Sequence, residues 1–201
     1  MELRGRSVLV LASASPRRLD LLARLGIPVE VRPSRVDESL PPGRPLAEAL
    51  EEVARRKAAA VAREVGGAWV LAADTAVVLG GRVMGKPRGR KEAREMLRAL
   101  SGRVHRVVTA VALLGPGTDR TVAVETRVRF RRLSEAEIAW YTGLDEPYDK
   151  AGAYGIQGRG AFLVESIEGS YTNVVGLPLS ETVDLLRSTG LLPWRLEEDE
   201  A

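Results

Sequence analysis

The stretch Val8-Leu9-Val10-Leu11-Ala12-Ser13-Ala14-Ser15-Pro16-Arg17-Arg18-Leu19 is the one around which the chain is organised. Val8 to Leu11 is a short buried-strand pattern, and the start of an amphipathic helix follows the two serines. Pro16 suits the first helical position, where its missing N–H is no loss, and Ser15 just before it is a good N-cap. Arg17 and Arg18 then fall in the first turn, where the helix dipole disfavours cations. Two cations at a positive helix end make either a seat for a phosphate-bearing anion or an ordinary solvated pair, and this stretch alone leaves both readings open.

Working outward, Gly26 stops the first helix and Ile27-Pro28 begins an extended piece to Val31. Arg32 to Pro45 is a polar, proline-rich loop carrying the adjacent acids Asp37 and Glu38. Pro45 opens a long helix to about Val65, whose apolar stripe is Leu46, Leu50, Val53, Ala54, Ala58 and Val61. Ala68 to Ala73 reads as a second continuous apolar strand that Asp74 terminates, followed by an extended piece, a Gly80-Gly81 turn and a return through Met84. A helix is expected from about Arg90 to Leu100. Two long strands, His105 to Leu114 and Thr121 to Leu133, flank Gly115-Pro116-Gly117 and read as antiparallel. Ser134-Glu135-Ala136-Glu137 is a capping box. Ala161 to Ile167 and Tyr171 to Val175 read as a further hairpin, and Leu177 to Ser188 as a closing helix. The sum is an α/β fold with a mixed sheet, in one domain over residues 1–192 with an acidic tail over 193–201.

Composition narrows the function. The chain has 201 residues and no cysteine, which permits a substantial core and excludes disulfides, zinc thiolate sites and cysteine nucleophiles. A net charge of +3 is too small and too evenly scattered to argue by itself for nucleic-acid binding, and nucleic acid is not the expected partner. No apolar run is long enough to span a bilayer and the N-terminus lacks a signal-peptide core, so a cytoplasmic enzyme without a membrane partner is expected.

Among single residues, Asp74 at the end of a buried strand is where α/β sheets place their sites, and it could hold a cation, take a proton from water, or only cap a turn. Lys86, between Gly85 and Pro87, has the fixed stem that a phosphate-binding lysine benefits from. Lys57 falls on the edge of the apolar stripe, where a snorkelling lysine is the plain reading. Asp149 to Gly160 has four glycines in twelve residues, which lets backbone approach a ligand, and Gln157 within it can both donate to and accept from a nucleobase edge. Neither a dinucleotide fingerprint nor a Walker motif is present. His105, the one histidine, starts an apolar strand and reads as structural.

Together these motifs resemble the Maf family, named for septum-formation inhibition and regarded as nucleoside triphosphate pyrophosphatases. The resemblance rests on L-A-S-A-S-P-R-R-L-D-L-L (11–22), V-D-E-S (36–39), A-R-R-K-A (54–58), A-A-D-T-A-V-V-L (72–79) and G-K-P (85–87). It continues through L-S-G-R-V-H-R-V-V-T-A-V (100–111), D-K-A-G-A-Y-G-I-Q-G (149–158) and V-V-G-L-P-L (174–179), in the family's order. It implies a two-lobed α/β fold with a long mixed sheet and a cleft between lobes. The implied reaction is NTP plus water giving NMP and pyrophosphate, with a divalent cation, Mg²⁺ or Mn²⁺. Asp74 would be the general base, and Asp37 or Glu38 would supply the second acid of the metal site beside Asp74. Ser13, Arg18, Lys57 and Lys86 would bind phosphates, and Arg17, Thr75 and Gln157 would influence nucleotide choice. Gln157 within Y-G-I-Q-G resembles the branch acting on dTTP and UTP. The expected partner is a nucleoside triphosphate, with a homodimer left open. The alternatives are a pyrophosphatase of different base specificity, or a non-enzymatic regulator of division that binds nucleotide or DNA.

Overall fold

A computed structural model of the chain describes residues 8–194. The opening stretch folds as β1 (Leu9–Leu11), every residue of it buried, then α1 (Pro16–Arg24). β2 (Val29–Val31), α2 (Leu46–Val65) and β3 (Trp69–Leu79) follow. β1 pairs in parallel with both β2 and β3, with Leu11 opposite Val31 on one side and Leu71 on the other. Parallel neighbours need crossovers, which α1 and α2 supply. The chain therefore leaves β1 towards one edge and crosses back to its other side. That reversal is a topological switch point, and the crevice at such a point, here beyond the carboxyl end of β1, is where open α/β sheets bind ligands.

The remaining strands are β4 (Arg82–Met84), β5 (Val104–Gly115), β6 (Thr118–Phe130) and β7 (Val164–Glu168). The seven strands form a mixed sheet in the order β2-β1-β3-β5-β6-β7, with β4 antiparallel on β3 and β7 antiparallel on β6. The helices α3 (Arg90–Leu100), α4 (Glu135–Tyr141), α5 (Tyr171–Val175) and α6 (Leu179–Leu186) complete the fold.

The chain divides into two compact units whose boundaries fall inside β3, β5 and β6. Among the described residues, the first takes in the chain up to Asp74, Ala110–Ala123 and everything from Gly176. Its buried residues include Leu9, Leu11, Leu22, Leu50, Val53, Val61 and Leu71. Gly115 sits flat against Trp69: a Cβ there would lie 2.2 Å from the indole ring. The second unit takes in Thr75–Thr109 and Val124–Val175. Leu97, Leu100, Val128, Phe130, Ile138, Tyr141, Tyr154 and Leu163 build its core. The capping box of α4 forms as expected: Ser134 Oγ accepts the Glu137 N–H at 3.3 Å, and the Ser134 N–H donates to Glu137 Oε2 at 2.7 Å.

Three expectations are corrected. β3 does not stop at Asp74; it runs through to Leu79, because Thr75, Val77 and Val78 suit extended backbone and β4 pairs with its far half. Residues 161–175 are not a hairpin: a short 3-10 turn leads into β7, and Tyr171–Val175 is helical. There Ser170 Oγ accepts the Asn173 N–H at 3.2 Å, and Asn173 Nδ2 donates to Val107 O at 3.0 Å and Thr126 Oγ1 at 2.9 Å. A local cap and a buried side-chain anchor outweigh the strand preference of Tyr171, Thr172, Val174 and Val175. Ser15 precedes α1 but makes no side-chain cap bond; its own N–H donates to Ser13 Oγ at 3.2 Å. The tail from residue 195 lies outside the described residues.

Candidate active site

The site residues around the carboxyl end of β1, where the middle of β3 runs on past it, all belong to the first unit. Leu11 of β1 is level with Leu71 of β3, so Ser13 and Asp74 each follow within three residues of that level. Ser13 is buried, and its Oγ accepts two hydrogen bonds, from the Ser15 N–H (3.2 Å) and from Arg18 Nη1 (2.9 Å). A hydroxyl has two acceptor lone pairs and one hydrogen, so the hydrogen of Ser13 remains to be donated outward. Arg18 Nε donates to the Gly176 carbonyl at 2.8 Å. The guanidinium is thereby fixed at two points, in the first turn of a helix that carries no acidic residue there. Burial pulls the Arg18 pKa below its ordinary value, Asp74 and Glu38 act to raise it, and Arg17 adds to the lowering. Arg17, Arg18, Asp74 and Glu38 therefore share one electrostatic neighbourhood.

Lys57 is the centre of the acidic side. It occupies the buried stripe of α2, between Ala54 and Ala58 on one side and Val61 on the other, and is 4% exposed. Its Nζ donates to Asp74 Oδ1 at 2.6 Å and pairs with Glu38 Oε1 at 2.8 Å. The snorkelling reading is thus corrected: the ammonium turns inward to two carboxylates instead of outward to water. Asp37 goes elsewhere. Its carboxylate accepts from the N–H and hydroxyl of Ser39, and its carbonyl accepts from Arg56 Nη1 at 2.8 Å. Of the two adjacent acids, the structure brings only Glu38 to Asp74.

Oxygen donors of this kind suit a hard divalent cation. Asp74 and Glu38 both reach one ammonium within 2.8 Å, and Mg²⁺ or Mn²⁺ is commonly held by one or two carboxylates plus substrate phosphate oxygens. Among the described residues no group of three or more His, Cys, Asp or Glu gathers as a complete protein cage. The two carboxylates fit a cation shared with a phosphate ligand.

The other expected site residues lie in the second unit. Thr75 follows Asp74 directly, and its Oγ1 lies 3.0 Å from Thr109 Oγ1, which donates to the Asn173 carbonyl at 3.0 Å. Lys86 is exposed on the Gly85–Pro87 turn, and the Gly85 carbonyl accepts the N–H of Gly152 at 3.1 Å, tying that turn to the glycine-rich segment. Gln157 is exposed further along this segment. His105 is buried, with Nε2 2.7 Å from the Tyr154 hydroxyl, and burial lowers its pKa to about 4, so it is a neutral core residue. Sequence reasoning missed the Gly176 carbonyl that orients Arg18; no periodicity marks a backbone acceptor 158 residues away from its donor.

The family model described as "Maf: Maf-like protein" matches residues 8–189. A dTTP/UTP pyrophosphatase of Anaeromyxobacter dehalogenans (strain 2CP-1) is 56% identical over 193 residues, covering 92% of this chain and 96% of the relative. The dTTP/UTP pyrophosphatase of Myxococcus xanthus is 54% identical, covering 94% and 97%. That of Moorella thermoacetica is 52% identical, covering 94% and 98%. Among solved structures, a nucleoside-triphosphatase / dITP/XTP pyrophosphatase from Mycobacterium abscessus covers 92% of this chain and 99% of its own, at 18% identity and a TM-score of 0.44, a likeness too slight to carry weight. On the family model and the relatives, the chain belongs to the Maf family.

Proposed function

We propose that the chain hydrolyses dTTP and UTP to the nucleoside monophosphate and pyrophosphate, as the names of its relatives say of them. The observation that carries the reading is the convergence of Asp74 and Glu38 on buried Lys57, beside the Ser13–Arg18 anion seat at the switch point of the sheet. Water attacks the α-phosphorus, the bond from that phosphorus to the bridging oxygen breaks, and the leaving pyrophosphate takes the electron pair. Negative charge grows on the leaving oxygens, so catalysis is mainly positioning and charge stabilisation. Asp74 Oδ1 is held by Lys57, which aims the second carboxylate oxygen, Oδ2, to take the proton of the attacking water. Ser13 donates its hydroxyl hydrogen to a phosphate oxygen, and Arg18, fixed by Ser13 and Gly176, offsets phosphate charge. Lys57 and Lys86 add cations for the phosphates, while Arg17, Thr75 and Gln157 act on nucleotide choice. Asp74 and Glu38 would hold a divalent cation, which would supply Lewis acidity towards the phosphate oxygens.

The test is a nucleotide panel read by pyrophosphate release, run on the wild type and on Asp74→Asn. The expected result is preference for dTTP and UTP, with the variant folding normally and losing at least ~100-fold in kcat, the low end for removing a general base. Preference for purine triphosphates would reject the substrate assignment, and near-wild-type turnover of the variant would reject Asp74 as the base.

A further inference from the structure

The segment that carries Gln157 owes its shape to two side chains outside it. Tyr141, the last residue of α4, is fully buried, and its hydroxyl accepts the Gly155 N–H at 3.1 Å while donating to Glu146 Oε1 at 2.9 Å. Glu146 Oε1 also accepts the Gly160 N–H at 3.0 Å, and Oε2 accepts the Arg159 N–H at 2.8 Å. One tyrosine and one carboxylate thus hold three backbone amides, one before Gln157 and two after it. Donors to an ionised carboxylate form the stronger class of hydrogen bond. Burial pushes the Glu146 carboxyl up, but the bonds from Gly160, Arg159 and Tyr141, with Lys150 nearby, outweigh it and hold the carboxyl below its ordinary value.

The glycines of this segment have a matching explanation. A Cβ on Gly158 would lie 2.4 Å from Glu146 Oε2, and one on Gly160 would lie 2.5 Å from the Tyr141 hydroxyl. A Cβ on Gly155 would lie 2.8 Å from Cε of Lys150, whose Nζ donates to the Glu146 carbonyl at 2.7 Å. The glycines admit the tyrosine–glutamate pair against the backbone. Backbone flexibility, the ordinary reason for a glycine-rich loop, is the opposite of what these contacts produce.

We propose that Tyr141 and Glu146 are positioning residues for nucleotide choice: they fix the backbone that presents Gln157 to the nucleobase, without touching the substrate themselves. The inference rests on the reading of Gln157 as the base-contacting residue. A pair that only staples the fold would affect all substrates alike. A pair that positions Gln157 affects the substrate whose base Gln157 reads.

The test compares Glu146→Gln, Tyr141→Phe and Gln157→Ala with the wild type, measuring kcat and KM for dTTP and for dATP by pyrophosphate release, together with amide hydrogen exchange of residues 155–160. In Glu146→Gln one end of the side chain becomes a donor facing a donor, whichever way the amide turns. Tyr141→Phe keeps the buried ring and removes only the hydroxyl, so it decides the matter if the first variant fails to fold. Gln157→Ala is expected to lower the dTTP-over-dATP ratio of kcat/KM by about tenfold, within the range for a lost base-reading hydrogen bond. Glu146→Gln is expected to lower that ratio by a comparable factor, through KM with kcat within about threefold, while the Arg159 and Gly160 amides exchange about tenfold faster. Tyr141→Phe is expected to move the ratio in the same direction by less. If the ratio moves in Gln157→Ala but both substrates fall by one factor, or not at all, in the other two variants, this proposal is overturned and the reading of Gln157 stands. If Gln157→Ala leaves the ratio unchanged, the reading of Gln157 falls and this proposal falls with it.

Discussion

At residues 37 and 38 a serine sets which of two adjacent acids pairs with Lys57. The Ser39 N–H and hydroxyl both bond the Asp37 carboxylate, an Asx turn that uses up the first acid and holds its carboxyl below its ordinary value. The next residue is then turned towards Lys57, although 56% of the Glu38 side chain stays exposed. Sequence spacing cannot separate neighbours in a loop, because either can face the same way until the turn is known. Glu38→Gln is therefore expected to lower kcat by at least about tenfold, since it removes one of the two carboxylates that would hold the divalent cation. Asp37→Asn is expected to stay within about threefold, because the Asx turn needs only an oxygen acceptor. Steady-state pyrophosphate release from the two variants checks the pair, and equal losses would return Asp37 to the site. Lys57 teaches the complementary lesson. Its place in the stripe was legible as a spacing, but a buried lysine reads as snorkelling until its two carboxylates are known from elsewhere in the chain.

Elements were legible where their own residues decide them. The box Ser134–Glu137 needs only neighbours three residues apart, and it forms with both bonds in place. α4 has seven residues, too few to hold by propensity alone, so its cap and its buried Ile138 and Tyr141 sustain it. Ser134→Ala is expected to destabilise the protein by about 1 kcal/mol with an unchanged dependence on urea, as measured by equilibrium denaturation. No change in midpoint would mean that packing of Ile138 and Tyr141 alone keeps the helix. Where distant residues decide, the reading failed. Tyr171–Val175 has the composition of a strand and becomes a helix because Asn173 is anchored to Val107 and Thr126, 66 and 47 residues away. The hairpin after Asp74 was legible in its local Gly80-Gly81 turn, with Val77 opposite Met84; only the expected break at Asp74 is absent.

For the molecule as a whole, the α/β order of elements from β1 to β3 was readable, and of the candidate site residues Lys57 and Asp74 meet in an ion pair. The parallel placement of β1 between β2 and β3 was not readable, because nothing in a strand of three residues names its partners. That placement makes the switch point to which Ser13 and Asp74 belong. A second molecular property follows from the only histidine of the chain. His105 lies in the core of the second unit, edge-on to Phe130 and Tyr154 with ring centroids 5.0 and 5.4 Å away. Its Nε2 meets the Tyr154 hydroxyl, and its Nδ1 is buried with no hydrogen-bond partner among the described residues. Burial lowers its pKa from 6.5 to about 4. The folded value lies below the unfolded one, so protonation favours the unfolded chain. The stability this histidine contributes is then complete above pH 6.5 and is lost as pH falls towards 4, by roughly 3 kcal/mol in all. Carboxylates add their own acid dependence, which a single variant separates out. His105→Gln keeps a polar group for the Tyr154 hydroxyl and cannot take up the proton. Its unfolding free energy is expected to be lower than that of the wild type at pH 7, with the gap closing by roughly 3 kcal/mol as both are followed by urea denaturation down to pH 4. Parallel curves for the two proteins would mean that His105 protonates in the folded state without cost, and that the aromatic cage around it opens to water in acid.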